Sequence, residues 1–195
     1  MTTFYLLRHA SNDYLTEKKI AGWRPGVHLN EQGRKEAEAL AAKLAAEPIH
    51  AIYSSPLERA RETADPLALK LGLKVQISDA VGEIKFGKWT DQSLKQLDSN
   101  PEWQRWNSFR SGTPIPEGEL MIEAQTRVVR EMLRLRSIHP AEGVALVSHG
   151  DVIKAALAYF LGVPLDLFQR IEIGPASISV IAVDEHAPRV LRVNG

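Results

Sequence analysis

Short apolar runs alternate with longer amphipathic stretches along most of the chain. The apolar runs at 3–7, 49–53 and 144–148 are bounded by polar or turn-forming residues, which predicts buried strands. Helices are expected between them, such as the Ala-, Leu- and Glu-rich run that Asn30 would cap and Pro48 would end. This order of strand, helix and strand predicts an α/β fold with a mostly parallel central sheet.

Further elements extend this alternation to the end of the chain. A short strand is expected at 73–77, and a pair of C-terminal strands near 176–183 and 189–193 could run antiparallel to its neighbours. The other predicted helices lie at 56–71, 119–137 and 150–161. The apolar side of the helix at 119–137 is expected to carry Ile122, Val129, Met132, Leu133 and Ile138.

The segment 79–118 interrupts the alternation. It contains Trp89, Trp103 and Trp106, three of the four tryptophans, together with Gly87 and several prolines. We expect an insertion of loops and short helices within a single domain that spans 1–195. The tryptophans could form a hydrophobic cluster beside the sheet, line a substrate site, or do both.

The overall charge excludes some classes of partner. Lys plus Arg and Asp plus Glu both number 24, so no net field would attract nucleic acid or an anionic membrane, and any anion site must be local. The chain has no cysteine, which excludes disulfides, thiolate metal sites and a Cys nucleophile. It shows no signal peptide and no apolar stretch of roughly 20 residues, so a cytoplasmic location is expected.

Chemically active side chains follow the three main predicted strands. Arg8 and His9 end the first strand, Arg59 lies in the first turn of the helix after the second, and His149 follows the third. Ligands of open α/β sheets bind at the carboxyl ends of the strands. If the three strands are parallel neighbours, two histidines and two arginines meet in one crevice.

These residue types are suited to phosphoryl chemistry. The guanidinium groups of Arg8 and Arg59 match phosphate oxygens, and backbone N–H groups near Gly150, at the start of a helix, could add donors. His9 could then attack phosphorus through a ring nitrogen and form a phosphohistidine that water clears. Nearby guanidinium charge would lower its pKa and keep the imidazole neutral.

A general acid must protonate the leaving oxygen in such a reaction. Glu83 is a candidate because it follows a turn and lies among aromatic residues that could raise its pKa. From the residues alone, Glu58, Glu62 and Asp151 remain alternatives, since all three lie near the strand-to-helix junctions.

Four segments resemble those of the histidine phosphatase superfamily, also called phosphoglycerate mutase-like, in order and spacing over nearly the whole chain. They are Leu7-Arg8-His9-Ala10, the run from Ser54 to Ala64, Gly82-Glu83 with Phe86-Gly87-Lys88-Trp89, and Val147-Ser148-His149-Gly150. The resemblance implies a three-layer α/β/α fold with His9 as phosphoacceptor and Glu83 as proton donor. It also implies a phosphate pocket of Arg8, Arg59 and His149, with neither metal nor other cofactor.

The chain departs from the family pattern after the first motif. Many members carry Glu-Thr there and an asparagine seven residues past the first arginine, where this chain has Ser11-Asn12 and Leu15. Asn12 or Ser11 could supply the missing phosphate contact, or could simply cap the loop. His28 lies in a variant loop and is expected to be structural.

Within the family, the sequence favours a phosphatase that acts on a small phosphorylated metabolite. Mutases resemble one another in an Arg-His-Tyr-Gly run after the acid and in a longer insertion, whereas this chain has Ile84-Lys85-Phe86-Gly87 and is short. Phosphoglycerate mutase-type transfer is the alternative, and a non-catalytic phospho-ligand-binding protein is a further one. A homodimer is compatible with the resemblance, and the identity of the phosphomonoester is left open.

Overall fold

The computed structural model describes residues 1–195 and contains one six-stranded sheet. The strands are β1 (Thr2–Arg8), β2 (Ile49–Ser54), β3 (Val75–Ile77), β4 (Gly143–Ser148), β5 (Ile178–Val183) and β6 (Pro188–Arg192). Their order across the sheet is β3-β2-β4-β1-β5-β6. Strands β1 to β4 run parallel, while β5 is antiparallel to β1 and β6 is antiparallel to β5. The predicted mostly parallel sheet, with an antiparallel C-terminal pair, is confirmed.

Seven α-helices connect or flank the strands. They are α1 (Asp13–Thr16), α2 (Glu31–Leu44), α3 (Glu58–Leu71), α4 (Leu94–Leu97), α5 (Pro101–Ser108), α6 (Met121–Ile138) and α7 (Gly150–Leu161). Short 3-10 helices occur at Asp79–Val81, Gly87–Trp89 and Leu165–Arg170. The sequence did not predict α1 or the last 3-10 helix, because one or two turns are too short for a hydrophobic period. None of the helices is both long and apolar enough to cross a membrane.

The helix ends follow the local sequence. The Asn30 side chain accepts a hydrogen bond from the Gly33 N–H and so caps α2 as predicted. Helices α3 and α7 end at Gly72 and Gly162, whose φ angles of +67° and +68° are left-handed. A side chain at either glycine would disfavour that conformation, so these two residues fix where the helices stop.

Side chains alternate between two cores on opposite faces of the sheet. Phe4 and Leu6 of β1 join the larger core beneath α6 and α7, whereas Tyr5 and Leu7 join the smaller core beneath α2 and α3. This alternation is the two-residue period of a strand covered on both faces. The result is the three-layer α/β/α arrangement that the family resemblance implied.

The segment 79–118 contributes to the larger core and to a cleft above it. Trp89 and Trp106 are 1% exposed and belong to the core cluster together with Leu97 and Ile115. Trp103 and Trp106 also line the cleft beside the carboxyl ends of β1 and β4. The hydrophobic cluster that the sequence offered as one alternative is therefore present, and the segment also lines a cleft, while its role toward a substrate stays a prediction.

The expected apolar side of α6 is partly wrong. Ile122, Leu133 and Ile138 are exposed, although Val129 and Met132 are buried as predicted. The buried apolar residues of α6 are instead Met121, Ala124, Val128, Val129, Met132 and Leu135. The three exposed residues lie about 100° round the helix from the centre of this buried set, too far to reach the sheet.

Candidate active site

The carboxyl ends of β1, β4 and β2 meet at one cleft of about 400 Å³. Arg8 ends β1 and His9 follows it, while His149 lies between β4 and α7. Arg59 is the second residue of α3, the helix that follows β2. Because β2, β4 and β1 are parallel neighbours, these junctions lie side by side, and the rings of His9 and His149 are 5.1 Å apart.

His9 is held as a neutral imidazole with a free ring nitrogen. It is 3% exposed, and its Nδ1 lies 2.8 Å from the carbonyl oxygen of Ala10. A carbonyl can only accept, so Nδ1 carries the proton and the lone pair is on Nε2. Burial lowers the pKa of His9 well below its usual value, and the charges of Arg59 and Arg8 lower it further.

The guanidinium groups of Arg8 and Arg59 have hydrogen-bond donors near His9 that no protein group accepts from. Arg8 Nη1 donates to the Ile173 carbonyl at 2.6 Å, and Arg59 Nη2 donates to the Gly22 carbonyl at 2.8 Å. The buried Arg8 Nε and Arg59 Nη1 have no hydrogen-bond partner in the protein. A Cβ at Gly150 would lie 3.2 Å from Arg8 Nε, so glycine there leaves room for the guanidinium. An oxyanion would find donors from both arginines.

His149 is buried and presents a second nitrogen. Its Nε2 lies 2.8 Å from Ser55 Oγ, which also accepts a hydrogen bond from the Leu57 N–H. The Ser55 hydroxyl hydrogen can therefore donate to Nε2, which leaves the proton on Nδ1 of His149. Burial, followed by the charge of Arg59, lowers the pKa of His149 well below its usual value. His149 is then a neutral donor.

Glu83 is the carboxyl group nearest to these residues. Its Oε1 accepts from the Ile84 N–H at 2.9 Å, and its Oε2 lies 3.6 Å from His149 Nδ1 and 4.0 Å from Arg59 Nη2. Burial raises the pKa of Glu83 to about 7, although the charge of Arg59 opposes the shift. Near neutral pH the carboxyl group is partly protonated, as a general acid needs to be.

A residue that sequence reasoning missed holds the backbone around Glu83. Arg127 on α6 donates through Nη1 to the carbonyls of Ala80 and Gly82, each at 2.8 Å, and through Nη2 to the Glu83 carbonyl at 3.0 Å. The Glu119 carboxylate binds the other side of the same guanidinium. An arginine on an amphipathic helix is usually solvated, so the sequence contained no indication of this contact.

Asn12, rather than Ser11, faces the cleft. Asn12 Oδ1 caps α1 by accepting from the Leu15 N–H, and Asn12 Nδ2 lies 3.5 Å from His9 Nδ1. Both of those nitrogens are donors, so they do not bond each other and the amide hydrogens are available to an anion. Ser11 is hydrogen-bonded to Glu36 through both its N–H and its hydroxyl.

The other acids near the junctions have different partners. Glu58 accepts from the Gly26 N–H, and Glu62 binds His28 on the surface. Asp151 lines the cleft 3.7 Å from Arg110, and its charge also acts on Arg8 and Glu83. Neither Glu58 nor Glu62 lines the cleft, and of the two acids that do, Glu83 is the one that lies beside Arg59 and His149.

Three groups that could ligate a metal also meet here. Ligand atoms of His9, Glu83 and His149 lie within 4.8 Å of one another, a cluster that the sequence spacing did not indicate. The neighbouring guanidinium groups of Arg8 and Arg59 oppose a cation electrostatically and favour an anion. The arrangement therefore fits a phosphate better than a metal.

Comparison with known proteins identifies the family. The family model described as histidine phosphatase superfamily, branch 1, matches residues 4–195. The chain belongs to this superfamily. As a histidine phosphatase it is a phosphomonoester hydrolase, and it shares the phosphoglycerate mutase-like fold.

Several relatives resemble this histidine phosphatase over its whole length. It is 31% identical over 196 residues to phosphoserine phosphatase 1 of Hydrogenobacter thermophilus, a match that covers 100% of this chain and 92% of the relative. It is 28% identical to a probable phosphoglycerate mutase of Photorhabdus laumondii, with 96% and 87% covered. The solved structure of a mycobacterial glucosyl-3-phosphoglycerate phosphatase superposes with a TM-score of 0.89 at 26% identity, covering 99% and 98%.

Proposed function

We propose that the protein hydrolyses a small phosphorylated metabolite through a phosphohistidine on His9. The observation that carries this proposal is the Nδ1 contact of His9 with the Ala10 carbonyl, which leaves the lone pair on Nε2, near the charges of Arg59 and Arg8. Arg8, Arg59, His149 and the amide of Asn12 would bind the phosphoryl oxygens. The first N–H groups of α7, from Gly150 onward, would add a helix terminus to the same site.

The first half-reaction would transfer the phosphoryl group to the protein. His9 Nε2 attacks phosphorus, the bond from phosphorus to the ester oxygen breaks, and the protonated Glu83 gives its proton to the leaving alkoxide. The guanidinium groups stabilise the negative charge on the equatorial oxygens in the transition state. The alcohol then departs, and Glu83 is left as a carboxylate.

The second half-reaction would restore the protein. The Glu83 carboxylate takes a proton from water as the water oxygen attacks the phosphohistidine, so the P–N bond breaks and inorganic phosphate leaves. Glu83 and His9 return to their starting states. No step uses a metal, because two arginines supply the positive charge.

We favour hydrolysis over phosphoglycerate mutase-type transfer for two reasons. The segment after Glu83 reads Ile84-Lys85-Phe86-Gly87, and the insertion at 79–118 is short. The phosphatase names of relatives in the family support the same choice. The loss of one of the five proposed catalytic residues, His9, Glu83, Arg8, Arg59 and His149, would favour a non-catalytic phospho-ligand-binding role, and all five are present.

The proposal also extends to the organisation of the protein. We propose a single histidine phosphatase domain over residues 1–195, which agrees with the extent of the family match. The cytoplasmic location and a homodimeric state stay predictions from the sequence.

Trapping the intermediate tests the function. Protein mixed with O-phosphoserine or para-nitrophenyl phosphate in the presence of a chelator is denatured at alkaline pH, because phosphohistidine is acid-labile, and is then digested for mass spectrometry. We expect one phosphate on the peptide that contains His9. His9→Ala should remove both the label and the turnover, whereas His28→Ala, which alters an exposed histidine, should keep both.

Two results would contradict the proposal. A label on the peptide that contains His149 would reverse the assignment of the nucleophile. A rate that is lost with the chelator and restored by a divalent metal would disprove the metal-independent mechanism.

A further inference from the structure

A third arginine lines the cleft in addition to Arg8 and Arg59. Arg110 follows α5 and is 3% exposed. Its guanidinium lies 3.8 Å from the ring centroid of Trp106 and 4.9 Å from that of Phe168. Contact with two aromatic rings fixes the plane of the guanidinium and shields it from bulk water.

Most donors of this guanidinium are unused. Arg110 Nη2 donates to Asn107 Oδ1, but the buried Nε and Nη1 have no hydrogen-bond partner, and neither does Nε1 of Trp106. The nearest carboxylate oxygen, Asp151 Oδ2, is 3.7 Å from Nη1, beyond hydrogen-bond distance. Buried donors without acceptors are unfavourable, so an acceptor is expected to bind them.

The position of Arg110 relates these donors to the phosphate site. Arg110 and Trp106 line the same cleft as His9 and Arg59. Asp151, which contacts Arg110, follows Gly150 in the first turn of α7. A group bound at Arg110 would therefore share the cleft with a phosphate at His9, as the alcohol part of the same substrate would.

We propose that Arg110 and the Trp106 N–H bind a carboxylate on the alcohol part of the substrate, so that the preferred substrates are phosphorylated carboxylic acids. The proposal rests on the phosphatase function above. The charges at this end of the cleft are those of Arg110 and Lys154, which face the carboxylates of Asp151 and Asp166. A carboxylate would add one negative charge beside these acids, whereas a second phosphate dianion would add two.

The wild-type protein provides the first test. Two pairs of probes separate the carboxylate from the rest of the molecule: O-phosphoserine against phosphoethanolamine, which lacks only the carboxylate, and 3-phosphoglycerate against glycerol 3-phosphate, which has a hydroxymethyl group instead. We expect kcat/KM to be at least about 10-fold higher for the carboxylate in both pairs. If both pairs show this preference, the amino group of phosphoserine is not its cause, because 3-phosphoglycerate has no amino group.

Variants of Arg110 assign the preference to this residue. Arg110→Met retains much of the contact with the two rings but removes the charge, and should lower kcat/KM for the carboxylate probes on the order of 100-fold. Phosphoethanolamine, glycerol 3-phosphate and para-nitrophenyl phosphate should change less than about 3-fold, because their contacts are with the phosphate site. Trp106→Phe removes one N–H and should cause a smaller loss of the same selectivity. Arg105→Met, at an exposed arginine on α5 next to Trp106, is the matched control and should change none of the ratios.

The results separate this proposal from the phosphatase function. Turnover of para-nitrophenyl phosphate and labelling of His9 test the chemistry without reference to Arg110. Suppose that turnover and labelling are observed but the wild type has the same kcat/KM for both members of each pair. The carboxylate site is then disproved. An equal loss on all substrates in a folded Arg110→Met protein would show that Arg110 only packs the wall. If that variant does not fold, Arg110→Lys and the wild-type ratios decide.

Discussion

Burial shifts the two titrating groups of the proposed reaction in opposite directions. Desolvation disfavours the charged form of each group, so it lowers the pKa of His9 and raises that of Glu83 to about 7. The base form of His9 therefore persists below pH 6.5, while the acid form of Glu83 persists up to about pH 7. Burial therefore allows His9 to be a neutral nucleophile and Glu83 to be a protonated acid at the same pH.

This pair of shifts predicts the pH dependence of the reaction. Above about pH 7, kcat/KM for an alkyl phosphate should fall as Glu83 loses its proton, by about 10-fold per pH unit. Below that pH no loss from protonation of His9 is expected until its lowered pKa is reached. A rate that rises between pH 7 and 9 would contradict the assignment of Glu83.

Replacing the acid should affect substrates according to their leaving group. Glu83→Gln cannot donate the proton, so phosphoryl transfer from an alkyl phosphate, measured as kcat/KM, should slow by roughly 100- to 10,000-fold. Transfer from para-nitrophenyl phosphate, measured in the same way, should slow far less, because its phenolate leaves without protonation, and the Kd of inorganic phosphate should be nearly unchanged. Glu58→Gln is the matched control and should keep the ratio of the two rates. An equal loss on both substrates, or no loss, would rule out the acid role.

At the residue scale, the sequence predicted where the candidate site residues lie better than it predicted which groups they contact. Arg8, His9, Arg59 and His149 were expected at one crevice because each follows a recognisable strand, and the strands are parallel neighbours as assumed. The acid was not determined by the residues alone, since Glu58, Glu62 and Asp151 had equivalent positions in sequence. Their different partners in the structure depend on loop paths that no local period encodes.

At the scale of elements, α6 links the larger core to the acid. One row of α6 packs against the sheet, while Arg127 on the same helix reaches three carbonyls of the loop that carries Glu83. Helix packing therefore determines where the carboxyl group of Glu83 lies. Only the packing of α6 against this loop reveals the contact.

The Arg127 contact predicts a positioning effect. Arg127→Met should lower kcat/KM for an alkyl phosphate by about 10- to 100-fold, because a small displacement of Glu83 weakens proton transfer to the leaving group. The kcat/KM for para-nitrophenyl phosphate and the labelling of His9 should change much less. Arg127→Lys should recover part of the alkyl phosphate rate, and Arg130→Met, at an exposed arginine on α6, should match the wild type. A parallel fall on both substrates would instead indicate lost folding.

Across the whole molecule, the proposed phosphate site depends on the centre of the sheet. Strand β4 lies between β2 and β1, and all six of its residues are buried. Both cores contact it, since Val144 and Leu146 belong to the larger cluster and Ala145 and Val147 to the smaller. The alternation of apolar segments predicted this strand, but the two-residue period could not show which neighbours would flank it.

Leu146 shows how strongly this centre stabilises the fold. It lies level with Leu6 on β1 and Tyr53 on β2 and is fully buried. Leu146→Ala should reduce the free energy of unfolding by about 2 to 5 kcal/mol, because it removes buried methyl groups and leaves a cavity. Leu69→Ala, at a leucine that is 86% exposed, should change it by less than about 0.5 kcal/mol.

Urea unfolding at pH 7 measures the free energies of unfolding of Leu146→Ala and Leu69→Ala. The value of kcat per folded molecule shows whether the substitution in β4 also disturbs the active site. We expect kcat of Leu146→Ala to stay within a few-fold of the wild type, because His149 is held by its own contact with Ser55 and by the start of α7. If Leu146→Ala lowered the free energy of unfolding as little as Leu69→Ala, the central role of β4 in the fold would be contradicted. A normal cost with a large loss of kcat would show that the register of β4 itself sets the position of His149.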